Sequence, residues 1–105
     1  METVSGIVAN LQGEIVAYGE GAEKIFGYRR DEILGKNVAI FHPPGSEATL
    51  RDLFQTAMTT GTWEKDTRLV RKGGEVFPAH LKVTAIRDDR GNITGLAGMT
   101  RDLSR

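Results

Sequence analysis

Cysteine is absent from this chain of 105 residues, and several kinds of function are excluded with it. Without a thiol there can be no disulfide, no thiolate metal site, no cysteine nucleophile and no covalent bond between cysteine and a flavin. Histidine is scarce as well, and His42 and His80 lie too far apart to form the closely spaced pair that metal sites use. Because no glycine-rich phosphate loop or activated serine motif is present either, we predict no catalytic residue and no metal site.

The chain also has no excess of charge, with 14 lysines and arginines against 14 aspartates and glutamates. This balance gives no reason to expect binding to nucleic acid or to an anionic membrane surface. There is no signal peptide and no run of about 20 apolar residues. The sequence therefore predicts a single cytoplasmic domain without direct membrane contact, and leaves open whether a parent protein is membrane-bound.

Glycine, by contrast, is plentiful and marks the ends of elements in the first half of the chain. A turn at Gln12-Gly13 joins two runs that contain β-branched residues. Two short helices follow, ended by Gly27 and Gly35, because glycine tolerates the left-handed conformation of a helix terminus. A further helical turn stops at Pro43, where the prolines remove backbone donors. The predicted ranges are strands at 7–10 and 14–18 and helices at 22–26, 31–34 and 37–41.

A longer helix is predicted between Ser46 and Gly61. Ser46 is a suitable N-cap, Glu47 favours the positive end of the helix dipole, and Gly61 ends the helix. Apolar residues recur at the i, i+3, i+4, i+7 and i+8 spacing of one buried stripe. The stripe consists of Leu50, Leu53, Phe54, Ala57 and Met58.

Three further strands are predicted at 62–71, 76–87 and 93–100. A tight turn around Gly73 separates the first two, and a loop containing Gly91 separates the last two. In the middle strand every second residue is apolar, so one face of the strand is expected in the core. The order of elements predicts an α+β domain in which a five-stranded antiparallel sheet carries short helices on one face.

Residues 20–36 carry the most specific pattern in the chain, E-G-A-E-K-I-F-G-Y-R-R-D-E-I-L-G-K. Helices shorter than about 12 residues are marginal in water, so the apolar residues of this stretch must pack on the sheet. Together with the strands before it, the stretch resembles the PAS family of sensory domains, and the resemblance covers nearly the whole chain. It implies a single PAS domain excised from a larger signalling protein, with a cavity between sheet and helices.

The resemblance also implies that this cavity binds a ligand or cofactor, since many members hold haem, flavin or a small metabolite there. A filled core is the alternative, because large apolar side chains at helical and strand spacing are what ordinary packing requires. The residues expected to line the cavity are Phe26, His42, Leu50, Phe54, Met58, Trp63, Leu69, Phe77, Leu81, Val83 and Met99.

The sequence leaves three possible states of the cavity, in a definite order of preference. An unidentified ligand or no ligand comes first. FAD comes second, because His42-Pro43 and Trp63 resemble the pattern of flavin-binding redox and aerotaxis sensors. Haem comes third, because the long helix contains no histidine to bind iron. Strand parity places His80 on the face turned away from the cavity.

The function that the resemblance implies is sensing, not catalysis, with the change passed to an output domain in the same chain, such as the histidine kinase of a two-component system. The alternative is a cofactor-free homodimerisation module that uses Val70, Ile86 and Leu96 on the outer sheet face. Asp102 lies in a terminal segment, R-D-L-S, that resembles the family's D-[I/L]-[T/S] signature. We expect Asp102 to form an ion pair or hydrogen bond that fixes the exit of the chain and transmits the signal.

Overall fold

A computed structural model describes residues 4–104 and shows an antiparallel five-stranded sheet in the order β2-β1-β5-β4-β3. The α+β prediction, with helices on one face of the sheet, is confirmed. Among residues 4–104, no helix is both long and apolar enough to cross a membrane. The elements are β1 Val4–Asn10, β2 Ile15–Tyr18, α1 Glu20–Phe26, α2 Arg30–Ile33, a 3-10 helix Val38–Phe41, α3 Glu47–Thr60, β3 Thr62–Val70, β4 Val76–Arg87 and β5 Ile93–Asp102.

The register between β4 and β5 decides which residues of β5 face the helices. Leu81 pairs with Thr100 and Val83 pairs with Gly98, and the two β4 residues are buried. Residues paired across antiparallel strands point to the same face, so Thr100 and Gly98 also face inward. Met99 therefore points outward and is 46% exposed. The prediction that Met99 lines the cavity is wrong, because neighbouring residues of a strand point to opposite faces and the inward positions are those on either side of Met99.

The same register corrects one residue of the outer sheet face. Leu96 pairs with Ala85 on β4 and with Ala9 on β1, and it is 4% exposed within the core. Its prediction as an outer-face residue is therefore wrong. Val70 and Ile86 are partly buried and lie at the alternate positions, on the outer face.

Helix α3 buries a narrower stripe than its sequence suggests. Leu53 and Ala57 are buried, and Phe54 packs beside them. Met58 is 40% exposed, so the prediction that it belongs to the buried stripe is wrong. At 3.6 residues per turn Met58 lies about 140° around the helix from Leu53, at the edge of the face that meets the sheet.

The two ends of α3 differ from one another in how they are capped. Ser46 stands at the N-cap position, but its hydroxyl donates to the Pro43 carbonyl at 2.6 Å and makes no capping bond. The prediction that Ser46 caps the helix is therefore wrong, because its hydroxyl is hydrogen-bonded to the preceding proline loop and not to the helix. Gly61 ends the helix as predicted, with φ of 94° in the left-handed region.

The core has two parts on the same inner face of the sheet. One contains the short helices, the 3-10 helix and the β3–β4 turn end of the sheet, around Phe26, Phe41, Leu69 and Phe77. The other joins α3 to the sheet through Leu53, Ala57, Trp63, Leu81, Val83 and Leu96. The candidate site lies where the two parts meet.

Replacing Leu53 with alanine should lower the free energy of unfolding by about 2–5 kcal/mol, the usual loss for a truncated core leucine. Met58→Ala removes an exposed side chain from the same helix and should change that free energy by less than about 0.5 kcal/mol. Denaturant titration of both variants measures the difference. Equal losses would show that α3 meets the sheet with another face.

Candidate ligand cavity

An apolar cavity of about 60 Å³ lies between the helices and the inner face of the sheet. It is bounded by the 3-10 helix and α3 on one side and by four strands on the other. The lining residues are Ile7, Ala9, Phe26, Val38, Phe41, His42, Leu50, Leu53, Phe54, Leu69, Leu81, Val83, Leu96, Gly98 and Thr100. Because nearly all of these side chains are apolar, the cavity suits an apolar molecule.

The structure brings most of the predicted cavity residues together. The residues that line it as expected are Phe26, His42, Leu50, Phe54, Leu69 and Leu81, together with Val83. Met58 and Met99 do not line it, since both are exposed on other faces of the molecule. Trp63 and Phe77 are buried in the core beside the cavity and do not line it, so the prediction that they line it is wrong.

Trp63 holds α3 against β3. Its indole N–H donates to Asp52 Oδ2 at 2.9 Å, and the ring packs in the core below the helix. This bond is the main reason that the pKa of Asp52 is lowered; Lys65, which donates to the same oxygen at 3.2 Å, adds to the effect. The side chain that was expected to contact a ligand therefore forms a hydrogen bond that joins β3 to α3.

The volume of the cavity decides which ligands fit. A molecule of water occupies about 30 Å³ in the liquid, and pockets for drug-sized ligands measure about 300–1,000 Å³. A cavity of about 60 Å³ is therefore several times too small for a flavin ring or a haem. Neither group fits among these residues without displacement of lining side chains.

His42 supplies the polar nitrogen of the cavity. It follows the 3-10 helix, where its backbone N–H donates to the Ala39 carbonyl at 3.0 Å and Pro43 restricts the residue to an extended conformation. Its side-chain Nδ1 is buried and has no hydrogen-bond partner. Burial lowers the pKa of His42 to about 4, so the ring is neutral at pH 7. A neutral ring with a free nitrogen can bind one hydrogen-bonding group of a ligand.

A second buried polar atom was not predicted. Ser5 is fully buried on β1 opposite Thr100, and its hydroxyl has no partner, although it does not line the cavity. The pairing of β1 with β5 turns Ser5 and Thr100 to the inner face. Neither position is apolar, so hydropathy gave no signal for them; only the strand register places them inside.

The predicted contact of Asp102 is present at the end of β5. Asp102 Oδ2 accepts from Arg71 Nη2 at 2.8 Å, and Asp102 Oδ1 accepts from the Ser104 backbone N–H at 2.8 Å. Burial raises the pKa of Asp102, but hydrogen bonds from Ser104 and Arg71 outweigh burial and leave the pKa below its usual value. The carboxylate is 25% exposed and is part of a compact polar cluster.

Arg71 connects this cluster to the wall of the cavity. Its Nη1 donates to the Ile25 carbonyl at 2.7 Å, and its guanidinium lies 3.9 Å from the centre of the Phe77 ring. Ile25 directly precedes Phe26, which lines the cavity. The guanidinium therefore joins the end of α1 to the end of β5. Sequence reasoning missed Arg71 because its partners come from distant parts of the chain.

The buried neutral state of His42 should make the fold sensitive to mild acid. Its pKa is about 4 in the folded protein and 6.5 in the usual case. The free energy of unfolding is therefore highest above pH 6.5, and it decreases as the pH falls toward 4, because the unfolded chain binds a proton there and the folded protein does not. The free energy of unfolding should fall by at most about 3 kcal/mol over that range. Denaturant titrations at several pH values measure this loss.

His42→Gln removes the titrating group and should flatten the curve between pH 6.5 and 4. His80→Gln is the matched control, because it removes the other histidine and should leave the acid loss in place. A wild-type curve that is flat over this range would mean that His42 is not buried as described.

The chain is similar in sequence to proteins of known family. The family model described as the PAS domain matches residues 4–105. The chain is also 24% identical over 82 residues to the methanogenesis regulatory histidine kinase FilI of Methanothrix harundinacea. That match covers 78% of this chain and 9% of the kinase, so the chain spans a small part of that relative.

Solved structures agree in fold. The PAS domain of a protein from Colwellia psychrerythraea has a TM-score of 0.92 and 24% identity, with 96% of this chain and 86% of that chain covered. The light-state structure of the blue-light photoreceptor Aureochrome1 LOV has a TM-score of 0.80 and 25% identity, with 96% and 82% covered. With its sheet order, its inner cavity and a family match over almost its full length, the chain belongs to the PAS domain family of sensory modules.

Proposed function

We propose that this PAS domain senses a small uncharged molecule that enters the cavity and hydrogen-bonds to His42. The observation that carries the proposal is the buried, unpartnered Nδ1 of a neutral, partly buried ring beside an apolar cavity. A buried polar atom without a partner costs free energy, and a ligand that pairs with it removes part of that cost. A charged ligand would lose its hydration in this apolar space without an opposite charge to replace it.

The ligand that best suits the volume has only a few non-hydrogen atoms. The cavity of about 60 Å³ is small beside the roughly 300–1,000 Å³ of pockets for drug-sized ligands. FAD remains a second candidate because a light-oxygen-voltage domain studied with a flavin analogue has a TM-score of 0.81 at 22% identity. A flavin would require movement of α3 or the 3-10 helix, and no cysteine is present to form a covalent bond with it.

Transmission is proposed to run from the cavity wall to the exit of the chain through Arg71. Movement of Phe26 shifts the end of α1, and the Ile25 carbonyl is one of the groups that hold the guanidinium. The same guanidinium holds Asp102, the proposed transmitting residue. A ligand shifts such an arrangement only if it binds two conformations with different affinity.

The domain is proposed to be part of a larger cytoplasmic signalling protein with an output domain in the same chain. The similarity to a regulatory histidine kinase supports a kinase output. A homodimer is proposed on the outer sheet face, where Met99 is exposed and Ile86 is partly buried. A cofactor-free dimerisation module is the alternative function, and the small size of the cavity is the observation that favours it.

Ligand binding is tested with 1-propanol and xenon as probes of the purified domain, followed by two-dimensional NMR of backbone and methyl groups. Both probes should shift signals of Leu50, Phe54 and Leu81 and leave Met58 and Met99 unchanged. His42→Phe should weaken 1-propanol binding and leave xenon binding in place, because xenon needs no hydrogen bond. If neither probe shifts cavity signals, the dimerisation module is the better reading, and sedimentation then measures the dimer.

Transmission is tested on the Arg71–Asp102 pair. Asp102→Asn should lower the free energy of unfolding by about 1–3 kcal/mol, because a partly buried charge-assisted pair is lost. In the longer protein that carries the domain, the same variant should alter control of the output while the cavity still binds its probe. A double-mutant cycle with Arg71→Gln isolates the pair.

The control cycle uses Arg29→Gln and Asp31→Asn, an ion pair whose side chains are 72% and 76% exposed. Its coupling should be close to zero, because solvent screens two exposed charges. Normal regulation of the output in Asp102→Asn would remove Asp102 from the proposed route.

A further inference from the structure

His80 lies between two carboxylates on the outer face of the sheet, away from the cavity. Its Nδ1 is 2.7 Å from Asp66 Oδ1, and its Nε2 is 2.7 Å from Glu64 Oε2. Asp66 pairs directly with His80 across β3 and β4, and Glu64 lies two residues along β3 on the same face. Both ring nitrogens are thus engaged by carboxylate oxygens at hydrogen-bonding distance.

Two such bonds require a particular protonation state. A carboxylate accepts hydrogen bonds, and a neutral imidazole has only one N–H to donate. The ring must therefore carry two protons to satisfy both carboxylates. If it loses one, a nitrogen lone pair faces a carboxylate oxygen at 2.7 Å, and the two repel each other.

Charged side chains on β3, β4 and β5 surround His80 on this face, and Arg68 is the outward residue next to Asp66 on β3. Lys82 is the next outward residue on β4 and pairs with Glu64, and Arg101 on β5 pairs with His80. These cations disfavour a charged ring, while the two carboxylates favour it. The helices described in residues 4–104 pack on the inner face, so the balance is set within the sheet. Hydrogen bonds to Asp66 first and to Glu64 second raise the pKa of His80 above 6.5.

We propose that His80, Glu64 and Asp66 form a proton-operated clasp between β3 and β4, closed when the ring carries two protons and open when it carries one. On opening, the proton passes to solvent, one carboxylate loses its donor, and the net charge of this surface falls by one. β3 is an edge strand, so the clasp ties the edge of the sheet to its neighbour through side chains. This gives the domain a response to pH that does not depend on occupancy of the cavity.

The sign of the effect on stability follows from the raised pKa of His80. The closed clasp contributes fully to the free energy of unfolding below pH 6.5. This contribution is lost as the pH rises through the raised pKa that His80 has in the folded protein. His42 has the opposite behaviour, because its loss occurs on the acid side. The two histidines therefore act in separate pH ranges.

The experiment is an NMR titration of the two histidine rings in the purified domain. His80 should titrate above pH 6.5 with both ring nitrogens protonated in the lower range, and His42 should titrate well below 6.5. Glu64→Gln and Asp66→Asn should each shift the His80 midpoint toward 6.5, and the double variant should shift it further. Asp89→Asn, an exposed aspartate in the β4–β5 loop, is the matched control and should leave the midpoint unchanged.

Two outcomes would overturn the clasp. One is a His80 midpoint at or below 6.5 in the wild-type domain. The other is a midpoint that moves in only one of the two single variants, which would reduce the arrangement to an ordinary ion pair. Because all three side chains are at the surface, the variants should remain folded, and the unchanged His42 signal verifies this.

Discussion

The packing of Phe26 on the sheet is the interaction on which the first half of the domain depends. Its ring lies 4.4 Å from the Phe41 ring and 5.9 Å from the Phe77 ring, measured between centroids. It therefore joins α1, the 3-10 helix and β4 in a single aromatic cluster. Helices of four to seven residues have too few internal hydrogen bonds to persist alone. Their stability comes from this contact with the sheet.

The cavity follows from the same packing. Rings as rigid as Phe26 and Phe41 cannot fill every space between short helices and a twisted sheet, and a space remains where they meet α3. His42 is carried to its edge by the 3-10 helix that Phe41 anchors. The property that makes the site a candidate sensor is therefore a consequence of how the helices are held, and Arg71 attaches the end of α1 to the exit of β5.

The two histidines show how strongly burial decides chemistry. His42 stands in an apolar wall without a partner, so the cost of charging it dominates. His80 lies at the surface between two carboxylates, so hydrogen bonding to the charged ring dominates. Burial thus lowers the pKa of one histidine on the inner face of the sheet, and hydrogen bonds to carboxylates raise the pKa of the other on the outer face.

The sequence by itself determined the elements, their order and the fold class. Hydrophobic periodicity and the glycines at element ends are local signals, because each depends only on residues that are close together in the chain. The outward orientation of His80 also followed from strand parity, and the ion pair of Asp102 was expected from the resemblance of the R-D-L-S segment to the family's terminal signature.

Only the tertiary structure decided whether a residue faces the core or the solvent where that depends on strand register or on the rotation of a helix. Met99 and Leu96 were assigned to opposite faces from those they occupy, because a single step along a strand reverses the direction of a side chain. Met58 lies at the rim of its helical stripe, where a modest rotation of the helix separates buried from exposed. Arg71 and the Trp63–Asp52 bond had no local signature, since each joins parts of the chain that meet only when the sheet closes over the helices. The burial of Ser5 depends in the same way on the pairing of β1 with β5.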